Sequence, residues 1–142
     1  MKVAIGCDHA GFELKDYVIE QLKMEGVDFT DHGTSGAESV DYPDFGHLVC
    51  NDVEEGRVHF GILICGSANG MAMTANKHNT IRCGLCWLPE IAALSKQHNN
   101  ANVIALPARF ITQELGLEIV RAYMAAEYEG GRHQRRVDKI PC

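Results

Sequence analysis

The run Val58-His59-Phe60-Gly61-Ile62-Leu63-Ile64-Cys65 constrains this chain more than any other segment. Its apolar end shows no polar alternation, as in a strand buried on both faces, and such a strand belongs at the centre of a parallel sheet covered by helices. The flanking segments agree. Val3 to Cys7 is a short β-prone run, followed by Leu14, Val18 and Leu22 at helical spacing. Gly26 closes that helix, Val27 to Thr30 reads as a weaker strand, and Gly33 and Gly36 mark a loop. Pro43 suits a first helical turn, with Phe45, Leu48, Val49 and Val53 on one face before Gly56 stops the helix. After the Gly66 to Gly70 loop, a short helix runs through Lys77 and a strand covers Ile81 to Trp87; Pro89 then opens a helix carrying Ile91, Leu94 and His98 along one side. Asn102 to Leu106 is the fifth strand. Thr112 caps the last long helix, whose buried stripe is Leu115, Ile119, Ala122, Tyr123 and Ala126 and whose end is Gly130-Gly131. Alternating strands and helices predict an α/β/α arrangement of three layers, a five-stranded parallel sheet joined by right-handed crossovers. At 142 residues this makes one domain, 1–142.

The net charge of −6 disfavours nucleic acid and anionic membranes as partners, apart from one basic cluster near the C-terminus. No apolar run approaches the roughly 20 residues that span a bilayer, and Asp8 and His9 interrupt the first apolar stretch before a signal-peptide core could form. A cytoplasmic protein is expected, with cysteines 7, 50, 65, 83, 86 and 142 as reduced thiols.

Ligands of open parallel sheets bind beyond the carboxyl ends of the strands. The first strand delivers Cys7, Asp8 and His9 to that edge, and the third delivers Cys65 followed by Gly66-Ser67-Ala68-Asn69-Gly70. Amides of a glycine loop entering a helix can form a nest for an anion or oxyanion. At the same helix start, partial positive charge is expected to lower the Cys65 pKa and supply a thiolate base or nucleophile; the bland alternative is a buried core cysteine. A thiol phosphatase would need an arginine six positions later, where Met71 stands. Cys83-Gly84-Leu85-Cys86 has a metal-like spacing, but no second ligand pair follows, and i, i+3 on a strand face opposite ways, so core filling is favoured. The seven histidines show no His-x-x-x-His pattern, so no metal site is specified. In the basic cluster, Arg132 and Arg136 share one face if the tail is helical, which suits a phosphate dianion, although a solvated basic tail fits equally well. His98-Asn99 ends a helix, where a cationic side chain is often only a terminus.

Together the words Gly6-Cys7-Asp8-His9-Ala10-Gly11-Phe12, Asp41-Tyr42-Pro43, Ile64-Cys65-Gly66-Ser67-Ala68-Asn69-Gly70, Ala75-Asn76-Lys77, Gln97-His98-Asn99 and Tyr128-Glu129-Gly130-Gly131-Arg132-His133 resemble the type B ribose-5-phosphate isomerase family, which includes galactose-6-phosphate and allose-6-phosphate isomerases. The resemblance spans nearly the whole chain. It implies a Rossmann-like sheet and a metal-free, cofactor-free aldose–ketose isomerisation of a phosphorylated pentose. It also implies a homodimer with shared active sites, with a dimer of dimers left open. By position, Cys65 matches the base that moves a proton between C1 and C2, and Ser67 with the amides of Gly66, Ala68, Asn69 and Gly70 matches the enediolate-stabilising hole. Asp8 and His98 match the pair that assists ring opening, and Asn99 the group beside the sugar hydroxyls. His9, Arg109, Arg132 and Arg136 match the phosphate set. A second branch of the family uses a glutamate just after the glycine loop; Met71 stands there in this chain, which favours Cys65. A hexose-6-phosphate isomerase and a noncatalytic phosphosugar-binding module are the alternatives.

Overall fold

The central run does what its pattern demands: Phe60–Cys65 is a strand with all six residues buried. The structure, a computed structural model, describes residues 1–141; Cys142, among the thiols expected to be reduced, lies outside them. The elements follow as β1 (Lys2–Cys7), α1 (Phe12–Met24), β2 (Asp28–Asp31), α2 (Tyr42–Glu54), β3 (Phe60–Cys65), α3 (Asn69–Ala75), β4 (Cys83–Leu85), α4 (Pro89–Asn99), β5 (Val103–Pro107), α5 (Gln113–Ala125), a 3-10 turn at Gly131–His133 and α6 (Gln134–Val137). The five strands form one sheet in the order β2-β1-β3-β5-β4, and every pairing is parallel.

Two apolar cores cover the sheet. Leu14, Val18 and Leu22 of α1, Ala92 of α4 and Ile119, Val120 and Tyr123 of α5 pack on one face, while Val49 and Cys50 of α2 and Met71 and Ala75 of α3 pack on the other. This division follows from right-handed crossovers. The β1–β2 and β4–β5 connections run one way across the sheet and the β2–β3 and β3–β4 connections the other, so their helices fall on opposite faces. The direction of travel therefore reverses between β1 and β3.

Several sequence expectations shift. The edge strand β4 keeps only Cys83–Leu85 of the expected 81–87, because Arg82 and Trp87 lie beyond its register with β5. Helix α4 turns Ala92 and Ser95 inward rather than Leu94, which is exposed. A Cβ on Gly84 would lie 2.9 Å from the Ser95 Cβ, and so close an approach admits only small side chains. Leu48 likewise points outward from α2. Helix α5 stops at Ala125, leaving 126–130 non-helical, and its buried residues include Gly116, Leu117 and Val120, which the stripe omitted. The Thr112 cap is present, its hydroxyl accepting from the Leu115 amide. Helix α3 ends at Ala75, two residues before Lys77. Among the described residues, no helix is long and apolar enough to cross a membrane.

Candidate active site

The reversal point between β1 and β3 is where an open α/β sheet leaves a crevice beyond its strands, and Asp8 and Cys65 flank it. Backbone bonds stitch the loops there: the Asp8 amide donates to Ile64 O at 3.1 Å, the Ala108 amide to Cys65 O at 2.9 Å and the Arg109 amide to Gly66 O at 3.1 Å. Asp8 is itself fixed, its Oδ1 accepting from the Ala10 amide at 2.9 Å. Gly11 must be a glycine, because a Cβ there would meet Ile64 at 2.7 Å and close the gap between the first loop and β3. The Nδ1 of His9 is buried without a hydrogen-bond partner, singular in this among the described residues.

After Cys65 the chain turns sharply through Ala68, a buried residue in the left-handed region at φ 65°. Such a conformation costs an alanine about 1 kcal/mol or more, and strain of this kind is concentrated where a loop must aim its amides. Ser67 is exposed; its hydroxyl accepts from the Asn69 amide at 3.4 Å and side chain at 3.3 Å, so its own proton is free to be donated outward. The Arg109 side chain lies over Gly66, within 3.3 Å of where a Cβ would be.

Cys65 is 4% exposed, and its pKa departs from expectation. Burial pushes the thiol up, the Met71 amide pulls it down, Asp8 pushes it up, and the amides of Ala68 and Ser67 pull it down; the net shift is upward. The helix start and loop amides act as expected, but desolvation of a thiolate outweighs them.

The remaining candidates lie elsewhere. Helix α4 leaves the carboxyl end of β4 and runs back along the sheet, so its last residues, His98 and Asn99, stand at the amino edge. Arg82, just before β4, marks that edge by donating to Asn99 O at 3.0 Å and Asn100 O at 2.8 Å. The tail joins them: the Glu129 amide donates to Gln97 O at 3.0 Å, and the His133 ring stacks on His98 with centroids 4.3 Å apart. Arg132 and Arg136, both exposed, flank His133 in this helical tail. Eleven residues of α4 rise about 15 Å, which sets the scale separating His98 from Cys65 in one chain. Asp8, His9, Cys65, the 66–70 loop and Arg109 thus form one group, and His98, Asn99, Arg132 and Arg136 another.

Two features had no role assigned from sequence. The Tyr42 ring covers Gly70 so closely that a Cβ there would lie 2.5 Å from it; only the Asp41-Tyr42-Pro43 word signalled this residue. An apolar cleft of about 560 Å³ opens beside Ser67 and Asn69, walled by Trp87, Leu88 and Phe110. Trp87 is 49% exposed and Phe110 75%. Cys83 and Cys86 are both free thiols, Cys86 fully buried, in keeping with core filling.

Comparison with known proteins places this geometry. Residues 3–140 match the family model described as Ribose/Galactose Isomerase. The chain is 46% identical over 139 residues to ribose-5-phosphate isomerase B of Escherichia coli K12, covering 98% of this chain and 93% of that one. It superimposes on the crystal structure of a ribose 5-phosphate isomerase from Thermotoga maritima with a TM-score of 0.97 at 45% identity, covering 99% of this chain and 97% of that one. The structure of ribose-5-phosphate isomerase B from Mycoplasma genitalium with bound ribulose-5-phosphate matches at a TM-score of 0.94 and 41% identity, over 98% and 93% of the two chains. A family-model match over residues 3–140, with full-length relatives 41–46% identical, means that this chain belongs to the ribose/galactose isomerase family.

Proposed function

We propose that this protein interconverts ribose 5-phosphate and ribulose 5-phosphate, with Cys65 as the base. The observation that carries the reading is the meeting, at the β1/β3 reversal point, of a buried thiol, the Ser67 hydroxyl and the glycine-loop turn whose Ser67 and Ala68 amides act on that thiol. In the forward direction Cys65, as thiolate, takes the C2 proton of the open-chain aldose, and negative charge develops on O1. Ser67 and the amides through Gly70 are suited to stabilise that oxygen as the enediolate forms. The proton returns from Cys65 to C1 while the O2 proton passes to O1, leaving the ketose with no net change in atoms or electrons. The upward shift of Cys65 has two consequences: less thiolate is present at neutral pH, and each thiolate is a stronger base for a weakly acidic C–H.

A complete site needs the second group as well. The substrate's phosphate calls for a pair of guanidinium forks, and furanose opening calls for a neutral-range acid/base, which the Arg132, Arg136 and His98 group offers from the far edge of the sheet. A homodimer in which the amino edge of one copy meets the carboxyl edge of the other would join them. Exposed Trp87, Leu88 and Phe110 beside Ser67 support this, since a second copy would cover them.

The deciding measurement is kcat/KM across four-, five- and six-carbon aldose phosphates, paired with uptake of solvent deuterium into product. A maximum at ribose 5-phosphate with deuterium exchange is expected. A maximum at a hexose 6-phosphate would reassign the substrate, and phosphosugar binding without exchange would leave only a binding module.

A further inference from the structure

Helix α4 ends at Asn99, and the carbonyls of a helix's last turn must find partners from outside the regular ladder. Here three separate segments supply them. The Asn100 amide donates to Lys96 O and the Glu129 amide to Gln97 O, both at 3.0 Å. At the very end the partner is Arg82: its Nε donates to Asn99 O and to Asn100 O, both at 3.0 Å, and its Nη2 donates to Asn100 O at 2.8 Å. A guanidinium at this place also meets the negative end of the helix dipole. The grip fixes a backbone of uncommon shape, since Asn100 stands in the left-handed region at φ 46°.

Arg82 can hold the helix end because its own backbone is held. Its amide donates to Asn102 Oδ1 at 2.8 Å and its carbonyl accepts from the Asn102 amide at 3.1 Å, at the entry to β5. Asn102 Nδ2 in turn donates to Thr80 O at 2.9 Å. A line of bonded groups therefore runs from the sheet through Arg82 to the last turn of α4, where the His98 ring stacks on His133 with centroids 4.3 Å apart and planes at 10°. The gripped carbonyl of Asn99 belongs to the residue next to His98.

We propose that Arg82 is a positioning residue for the isomerisation, its guanidinium fork holding the end of α4 so that His98 is presented for ring opening. The inference rests on the ring-opening role of His98 proposed above. A lysine at 82 would keep the charge but lack the planar fork that spans two carbonyls.

The test combines kinetics with proton NMR of the histidine rings in the full-length protein. In a face-to-face stack the His98 ring protons lie over the His133 ring and resonate upfield, so this shift reports the placement of His98. Arg82→Gln should abolish the shift, leave His32 and His47 unchanged, and lower kcat for ribose 5-phosphate about tenfold or more, since misplacement by about 1 Å can cost about 100-fold. Arg82→Lys, which retains charge at the helix end, should show the same changes to a smaller degree. In a His98→Asn chain, Arg82→Gln should cost less than about threefold, because a residue acting through another is not additive with it. Four results overturn the proposal: an equal cost in both backgrounds, activity lost with the shift retained, full activity with the shift retained, or failure of both variants to fold. Loss of the shift with full activity, or full activity in His98→Asn alone, removes the ring-opening role of His98, and the catalytic purpose of Arg82 falls with it.

Discussion

The two edges of the sheet are built in different ways. At the carboxyl edge the reactive groups are held by the backbone: Cys65 ends a fully buried strand, and its neighbours are tied to Ile64, Cys65 and Gly66 by main-chain bonds. At the amino edge the candidates are side chains on a helix end and a short tail, with Arg132 and Arg136 exposed and His98 held by a ring stack. The rigid edge suits the proton abstraction and oxyanion stabilisation proposed for it, which require precise geometry. The other offers positive charge and titratable rings, which act over longer reach and tolerate looser placement. A single chain cannot bring the two together, because the length of the sheet lies between them.

The sharpest way to break this contrast is Cys65→Ser, which should fold normally and lose about 10²–10⁴-fold in kcat, the usual worth of a general base. Near wild-type turnover would move the base away from this edge. Next comes a test of whether the edges cooperate between chains. Cys65→Ser and His98→Asn, each inactive or impaired, should regain about a quarter of wild-type sites when mixed and exchanged, by random pairing in a two-fold dimer. Verified heterodimers without recovered activity would refute the shared site. Arg132→Ala combined with Arg136→Ala should raise KM for phosphorylated sugars by about 10–100-fold, as expected for lost charged hydrogen bonds, with a smaller effect on kcat. Unchanged KM would return the tail to solvent. The mildest effect is in pH dependence. Because burial raises the Cys65 pKa, the thiolate fraction is small at neutral pH and grows as pH rises. The kcat/KM profile should therefore climb through and beyond the ordinary thiol range, and Cys65→Ser should remove that limb. A plateau already reached at neutral pH would mean that the assembled site lowers the thiol pKa after all.

Much of this was legible in the chain. The apolar run ending at Cys65 had to be a central strand, since no other placement hides both of its faces, and the glycine loop after it had to sit at the carboxyl edge of the sheet. The words around Asp8, Cys65, His98 and Arg132 carried the family, which the full-length match bears out. Local periodicity was less reliable where tertiary contacts overrode it. Leu48 and Leu94 have helical spacing yet face outward, because Gly46 and Gly84 let other residues of the layer come close. Arg132 and Arg136 were expected to share one face if the tail was helical, and it is helical, but its position against His98 is set by the stack and the Glu129 amide, both long-range.

What the sequence determined by itself was therefore the order and type of elements and the chemistry each loop could carry, because strand burial, helix starts and turn residues are local properties. Three things were left to the tertiary structure. The strand order put the reversal point between Asp8 and Cys65. The depth of Cys65 set the direction of its pKa, because a desolvation penalty depends on everything packed around the sulfur. The course of α4 carried His98 to the opposite edge, where the tail with Arg132 and Arg136 packs against it, because a helix that follows a parallel strand must run back along the sheet before the next strand can begin.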